Sequence, residues 1–379
     1  MLIQEARVVT PDGVLDEGWV HIENGRIAGV GAGAPSIDDS ESVRLGGRWL
    51  GPGFIDPHIH GAGGADVMDG EVEGIAVLAQ TLVRHGVTSF LPTTYTGSRD
   101  VTVRALRAIE SARTHPPDGA QALGAHMEGP FLSAARAGAH PVELLHAADP
   151  GEVEDYLAAA RILLIALAPE VPQNAALIPG LVARGITVSV GHSDATYDQV
   201  EAALSVGASV VTHLFNGMRP LHHREAGVAG GGLLLSGLTC ELISDGVHVD
   251  ARSLRVAWRL KGRGGIVLVS DAGRFAGSPS GDAEHDQRTE ARDGAIFLHD
   301  GTLASSLSLL DQGFRTFCEV NELGFGEAWD VVSGNIARTL GLAGKGAVRA
   351  DADADLTILE PDGRVAGTIV AGRFAHRAW

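Results

Sequence analysis

A closed barrel of eight parallel strands wrapped by helices, joined to a small β-sandwich drawn from both chain ends, is the α/β architecture this sequence predicts. Three observations carry it. Eight short apolar runs alternate with helix-like stretches in the middle of the chain, both ends have the texture of short strands, and chemistry-bearing residues recur at the ends of the runs.

The runs are Gly53–His60, Val87–Thr94, Ala122–Glu128, Leu163–Glu170, Ile186–His192, Ser209–Asn216, Thr239–Asp245 and Gly265–Asp271. Between and after them lie amphipathic stretches such as Gly74–His85, Val101–Arg113, Val153–Ala160, Tyr197–Ser205, Arg252–Arg259 and Leu309–Glu319. Parallel strands buried on both faces read as continuous apolar runs, each covered on its outside by a helix. Eight such units predict a (β/α)8 TIM-type barrel over residues 51–345. A doubly wound sheet would carry a Gly-rich phosphate turn after its first strand, and this chain has none there.

The ends read differently. Residues 1–50 alternate apolar and polar positions and carry turn signals at Pro11-Asp12-Gly13 and Asn24-Gly25. Residues 346–379 repeat that texture around Pro361-Asp362-Gly363. One small β-sandwich domain assembled from both ends is expected.

Composition narrows the function. With 45% apolar and 20% charged residues the 379-residue chain can build a large core, and with 5% aromatics that core must be aliphatic. Lys plus Arg number 29 against 47 Asp plus Glu, a net charge of −18, which disfavours nucleic acid and anionic membranes as partners. An anionic substrate would need a local cationic cluster. Two cysteines far apart, Cys240 and Cys318, read as small buried hydrophobes and point to a reducing compartment. No apolar signal core opens the chain and no run reaches the roughly 20 residues of a bilayer span, so a cytoplasmic protein is expected.

The strand ends carry the chemistry: His58-Ile59-His60, His126-Met127-Glu128-Gly129-Pro130, Gly191-His192-Ser193, Thr212-His213, Asp245-Gly246-Val247-His248 and Ser270-Asp271. In β/α barrels the carboxyl ends of the strands form the active face. His-x-His on a strand sends both imidazoles to one side, within reach of one ion. A single such His is ordinarily a hydrogen-bonded interior residue. Four of them with a Glu and an Asp at matching ends point instead to a divalent-metal site. Glu128 could cap a helix, but the rigid Gly129-Pro130 turn favours a carboxylate held at the barrel mouth. Asp271 could be an N-cap, but its position opposite the metal candidates favours proton transfer. A metal so held lowers the pKa of its water, a carboxylate moves the proton, and a His steadies the developing oxyanion.

In order, "GFIDPHIHGAGGADVMDG", "HMEGPFLSAARAGAH", "SVGHSDATYDQ", "THLFNGMRPLHHREAGVAG", "ISDGVHVD" and "LVSDAG" resemble the N-acetylglucosamine-6-phosphate deacetylases of the amidohydrolase superfamily. The resemblance spans nearly the whole chain. It implies removal of acetate from an N-acetylated amino-sugar phosphate. Glu128, His192 and His213 match the main metal site, and His58 and His60 a second one that some members fill. One or two divalent ions are implied, zinc first, with iron, manganese or cobalt compatible. Asp271 matches the acid/base and His140 the residue that polarises the acetyl carbonyl. Ala139, His140, Asn216, Gly217, Leu303, Ala304 and Ser305 match substrate contacts. Arg224 and His248 resemble phosphate and sugar contacts supplied across a homodimer. Arg219, His222, His223 and Arg224 together would give the acidic chain its basic clamp.

Three departures bear on the substrate. Ala226 stands where the family has Pro, Gly273 and Arg274 where it has Met or Thr, and Ser305 where a Leu-Ala-Gly-Ser loop has Gly; residues 273–294 are also unusually polar. An amidohydrolase for another N-acylated sugar phosphate or an N-acyl amino acid is the alternative. The branches that use a carboxylated lysine end strand four with it, whereas this strand ends in Pro169-Glu170. A scaffold without catalysis should have lost ligands, and every matched position is intact.

Overall fold

The computed structural model describes residues 1–35, 42–278 and 289–379. Of the polar stretch 273–294, residues 279–288 lie outside that description.

The barrel strands are β1 (Phe54–Ile59), β2 (Val87–Thr94), β3 (Ala125–Glu128), β4 (Ile162–Leu167), β5 (Thr187–Val190), β6 (Val210–Val211), β7 (Thr239–Ile243) and β8 (Ile266–Val269). Every neighbouring pair from β1 to β8 is parallel. The seam between β8 and β1 is drawn together just past the strand ends, where Asp271 N donates to His58 O at 2.9 Å and His60 N to Ala272 O at 2.9 Å. The eight predicted strands are thus all present, in barrel order.

Helices α1 (Val72–Leu82), α2 (Arg99–Thr114), α3 (Pro150–Ala159), α4 (Pro172–Ala183), α5 (Tyr197–Ser205), α6 (Gly227–Leu234), α7 (Ala251–Lys261) and α8 (Leu310–Asn321) complete the barrel units. Three of them start on side-chain caps: Asp149 accepts from Glu152 N, Thr196 from Gln199 N and Asp250 from Arg252 N. Two helices have no amphipathic stripe in the sequence. α4 carries Pro179 and Gly180 inside, and α6 reads Gly-Val-Ala-Gly-Gly-Gly-Leu-Leu with seven of its eight residues buried. Burial of α6 decides its state, because β-carbons at Gly231 and Gly232 would press on Val200 and Leu214.

Strands Leu2–Thr10, Gly13–Glu23, Arg26–Ala32, Ser42–Arg44 and Trp49–Pro52 join Leu356–Leu359, Val365–Val370 and Arg373–Arg377 in one mixed sheet from both chain ends. It has its own apolar cluster, including Ile3, Val8, Val20, Ile27, Leu50, Leu356, Ile358 and Ile369. Asn24 and Gly25, both at positive φ, make the predicted tight hairpin. The buried Trp329 ties this sheet to the barrel by donating from Nε1 to Pro52 O at 2.9 Å. Beyond β8, Thr289–Arg292, Ala295–Leu298 and Leu303–Ser306 form a small antiparallel sheet that leans on the barrel mouth through an Ala272–Ser306 bridge.

Candidate metal and catalytic site

His58 and Glu128 lie within β1 and β3, whereas β5, β6 and β8 point their chemistry into the mouth by leaving extended geometry. β5 and β6 stop short of the runs that predict them because His192 and His213 have φ of 45° and 28°, and Asp271 after β8 has φ 47°. Non-glycine residues hold such angles only where surroundings over-determine them. Gly217 shows the crowding: a β-carbon there would lie 2.7 Å from His192 Nδ1.

Two donor groups result. In one, His213 Nε2 is 2.9 Å and His192 Nε2 3.3 Å from Glu128 Oε1, with the two nitrogens 3.1 Å apart. In the other, His58 Nε2 and His60 Nε2 are 3.2 Å apart, and 3.4 and 3.2 Å from Asp271 Oδ1. Glu128 Oε2 reaches towards the second group, 3.3 Å from His60 Nε2. The imidazoles are aimed from behind: His192 Nδ1 meets Arg136 O at 2.8 Å, His60 Nδ1 meets Thr93 O at 3.3 Å, and His58 Nδ1 meets Glu241 Oε2 at 3.1 Å. With Nδ1 donating, a neutral ring turns a bare Nε2 lone pair to the centre. Facing lone pairs 3.1–3.2 Å apart repel each other unless a proton or a metal ion lies between them. Tetrahedral ligation with bonds of about 2.0–2.1 Å puts ligand atoms at about this spacing. The donor set therefore fits a divalent ion, and among the described residues two of the three His/carboxylate groups able to hold one are these. The third, His58 with His126 and Glu241, lies beneath and is wholly buried.

The electrostatics follow from packing carboxylates among imidazoles. Burial opposes charge on His58, but Glu128 and Asp271 hold its pKa well above the ordinary histidine range; His60 is likewise pushed up to about 9. Burial would raise Asp271, but the charge of His58 and the contact with His60 hold it far below the usual carboxylate range. His140 is the opposite case. Burial, then the neighbouring His192, lowers it to about 4, so its ring is neutral. His140 Nδ1 lies 2.7 Å from Thr96 Oγ1, its Nε2 3.5 Å from Glu128 Oε2, and its face stacks on Tyr95 at 4.5 Å.

A cavity of about 230 Å3 opens above the donors, lined among others by His60, Glu128, Ala139, His140, His192, His213, Asn216, Gly217, His248, Asp271, Leu303 and Ala304. His58 sits directly below it, fully buried. Most expected contacts are brought together here; three differ. His248 lines its own chain's cavity, where the resemblance implied a reach into a partner, because Asp245 Oδ2 anchors its Nδ1 at 2.7 Å. Burial opposes charge on His248, yet the Asp245 contact raises its pKa. Ser305 faces an adjoining chamber instead. Arg224 is exposed on a short hairpin outside this lining, beside His223 at 2.7 Å. Arg219 contributes no free charge to the basic cluster, being paired with Asp194 at 2.7 Å and Glu225 at 3.5 Å.

Sequence reasoning missed Glu241, Thr96 and Tyr95. Glu241 left a signal: a carboxylate inside the apolar strand Thr239–Ile243, with no exposed surface, needs a charged partner. Thr96 and Tyr95 lie just past β2, in a run whose end carries no motif. Glu170 is occupied structurally, accepting from Ser193 Oγ at 2.7 Å and Asp194 N at 2.6 Å.

The fold and the donor set define a hydrolase of the metal-dependent barrel class. The model of the Amidohydrolase family matches residues 49–375. The N-acetylglucosamine-6-phosphate deacetylase of Lysinibacillus sphaericus is 38% identical, covering 98% of this chain and 97% of its own length, and that of Bacillus subtilis (strain 168) is 36% identical, covering 99% and 97%. Among solved structures, the N-acetylglucosamine-6-phosphate deacetylase of Thermotoga maritima superposes with a TM-score of 0.90 at 33% identity over all of both chains. An alanine variant of the Mycobacterium smegmatis deacetylase, solved with N-acetyl-D-glucosamine-6-phosphate, gives 0.88 at 32% over 99% of both. The chain belongs to the amidohydrolase family and, within it, to the N-acetylglucosamine-6-phosphate deacetylases.

Proposed function

We propose that the chain hydrolyses the acetamide of N-acetylglucosamine 6-phosphate to glucosamine 6-phosphate and acetate, with Asp271 as general acid/base. The supporting observation is Asp271 Oδ1 3.2 Å from His60 Nε2, at the edge of a cavity that also holds Glu128, His192, His213 and His140. Glu128, His192 and His213 would hold the principal ion and His58, His60 and Asp271 a second, with zinc the first choice and iron, manganese or cobalt sharing its ligand types. Such an ion supplies Lewis acidity and eases deprotonation of water beside it.

The chain's own groups do the rest. Asp271, ionised at neutral pH, takes the proton of the water that adds to the acyl carbon. As the C–N bond breaks, the same carboxyl returns that proton to the leaving amine. Neutral His140, with Thr96 Oγ1 donating to Nδ1, presents an Nε2–H to the acyl oxygen.

No Arg or Lys is among the described residues that line this cavity. His248 and Asn216 form its polar wall, and a phosphate needs a stronger cation than these. Arg224 of a second copy would supply it, which makes the working unit a homodimer. The hairpin's exposed Leu221, at 54% of its maximum area, suits burial against such a copy. The free, buried Cys240 and Cys318 suit a cytoplasmic setting. Among the described residues no helix is long and apolar enough to cross a membrane. The test is acetate release from N-acetylglucosamine 6-phosphate by the metal-reconstituted protein against its Asp271→Asn variant.

A further inference from the structure

Beside the catalytic cavity lies a second chamber of about 280 Å3, and the two share His60, Tyr95, Ala139 and Ala304 as common walls. Its far side is apolar, built from Met68, Phe275, Ile296 and Leu298. On its rim Arg274 grips Asp69 through contacts of 2.6 and 2.9 Å, and Asp66 is turned to the backbone, accepting from Met68 N at 2.8 Å. We propose that this chamber receives the acyl side of the substrate, and that the enzyme removes N-acyl groups longer than acetyl from glucosamine 6-phosphate. The inference rests on the deacetylase reading and extends it.

The geometry of the amide carries the assignment. A trans amide is planar and sends its two substituents in opposite directions. The acyl carbon must sit among His60, His140 and Asp271 to be attacked. On the β6–β7 side of that point the wall is Asn216, Gly217 and His248, suited to a sugar with hydroxyls and a phosphate. The opposite side, reached past His60 and Tyr95, is the apolar chamber on the loops after β1, β2 and β8. With the sugar on the polar wall, the acyl chain points into the chamber, which is far larger than a methyl group. Gly273 keeps it so: a β-carbon there would lie 2.4 Å from Ser305 Oγ and 2.9 Å from Ile296 Cδ1, so any side chain must displace that wall or enter the space. The chemistry is unchanged: water adds, the C–N bond breaks, and a longer carboxylate leaves with the same amine.

The experiment measures glucosamine 6-phosphate formed by the metal-reconstituted full chain from its N-acetyl, N-propionyl, N-butyryl and N-hexanoyl derivatives. A methylene that a pocket cannot take costs roughly 10- to 200-fold in kcat/KM, whereas one with room to sit costs little, so butyryl, two methylenes longer, is expected within about tenfold of acetyl. Leu298→Trp, and independently Phe275→Trp, should cut butyryl hydrolysis by roughly fiftyfold or more while leaving acetyl within about threefold. Both side chains are only half-buried, so the exchanges are tolerable, and either variant alone decides. Acetyl hydrolysis with butyryl below about one-hundredth of it overturns the chamber alone. Equal losses on both substrates in the variants also overturn it. Hydrolysis of none of the series overturns the deacetylase reading, and the chamber assignment with it.

Discussion

Glu241 and His58 form a buried pair beneath the donor cluster: Oε2 lies 3.1 Å from Nδ1 and neither side chain has exposed surface. The same oxygen accepts from His213 N at 3.3 Å, so one carboxylate steadies a residue in each metal group. Its effect falls unequally, because it fixes the ring of His58 but only the backbone of His213.

A substitution at Glu241 should therefore separate the two ions. Glu241→Gln keeps the shape and loses the charge that makes His58 a strong ligand. Outer partners of this kind are typically worth 10- to 100-fold in metal affinity, and a loss of about that size is expected at the His58–His60 site only. Metal counts per chain under graded chelator would show one ion lost early and one retained. Equal weakening of both would contradict the inequality.

Binding at that second site should depend on pH. In the metal-free protein, neighbouring Glu128 and Asp271 keep His60 protonated up to about 9. Ligation needs neutral imidazole, so an ion entering near pH 7.5 must displace a proton and binds tighter as pH rises to about 9. The linkage to metal-free stability has the opposite sign. A histidine raised in the folded state contributes fully below its ordinary value of 6.5, and that contribution fades as pH climbs through about 9. Calorimetry in buffers of differing ionisation heat should register proton release. Binding without proton release would contradict the pairing.

Asp271→Asn should preserve the fold and the Glu128–His192–His213 ion yet lower kcat by roughly 10²- to 10⁴-fold, the usual worth of a positioned acid/base. Turnover close to that of the parent would remove Asp271 from the role.

Arg224→Ala should raise KM for the phosphorylated substrate and leave kcat largely intact. If Arg224 serves a second copy, mixing Arg224→Ala chains with Asp271→Asn chains should restore activity, since a mixed dimer contains one complete site. No recovery in confirmed mixed dimers would place the phosphate clamp elsewhere.

Much of this was legible in the sequence because barrel strands, buried on both faces, announce themselves as apolar runs, and period-two alternation places His58 and His60 together. What escaped depends on tertiary contact. α6 hides behind four glycines because its partners, not its own residues, make it a helix. Glu241 could be flagged as odd but not paired, since His58 is 183 residues away. The basic cluster misled because charge adds up along a sequence, whereas Arg219 spends its charge on Asp194 and Glu225 in space. His248 misled for a similar reason: Asp245, three residues before it, turns it into its own cavity.

The most direct measurement is acetate release by the metal-reconstituted protein from N-acetylglucosamine 6-phosphate and, in parallel, from unphosphorylated N-acetylglucosamine. Rapid release from the phosphorylated sugar alone is predicted, because the proposed clamp, Arg224 of a second copy, would have no phosphate to hold on the other sugar. Equal or faster release from the unphosphorylated sugar would contradict that account.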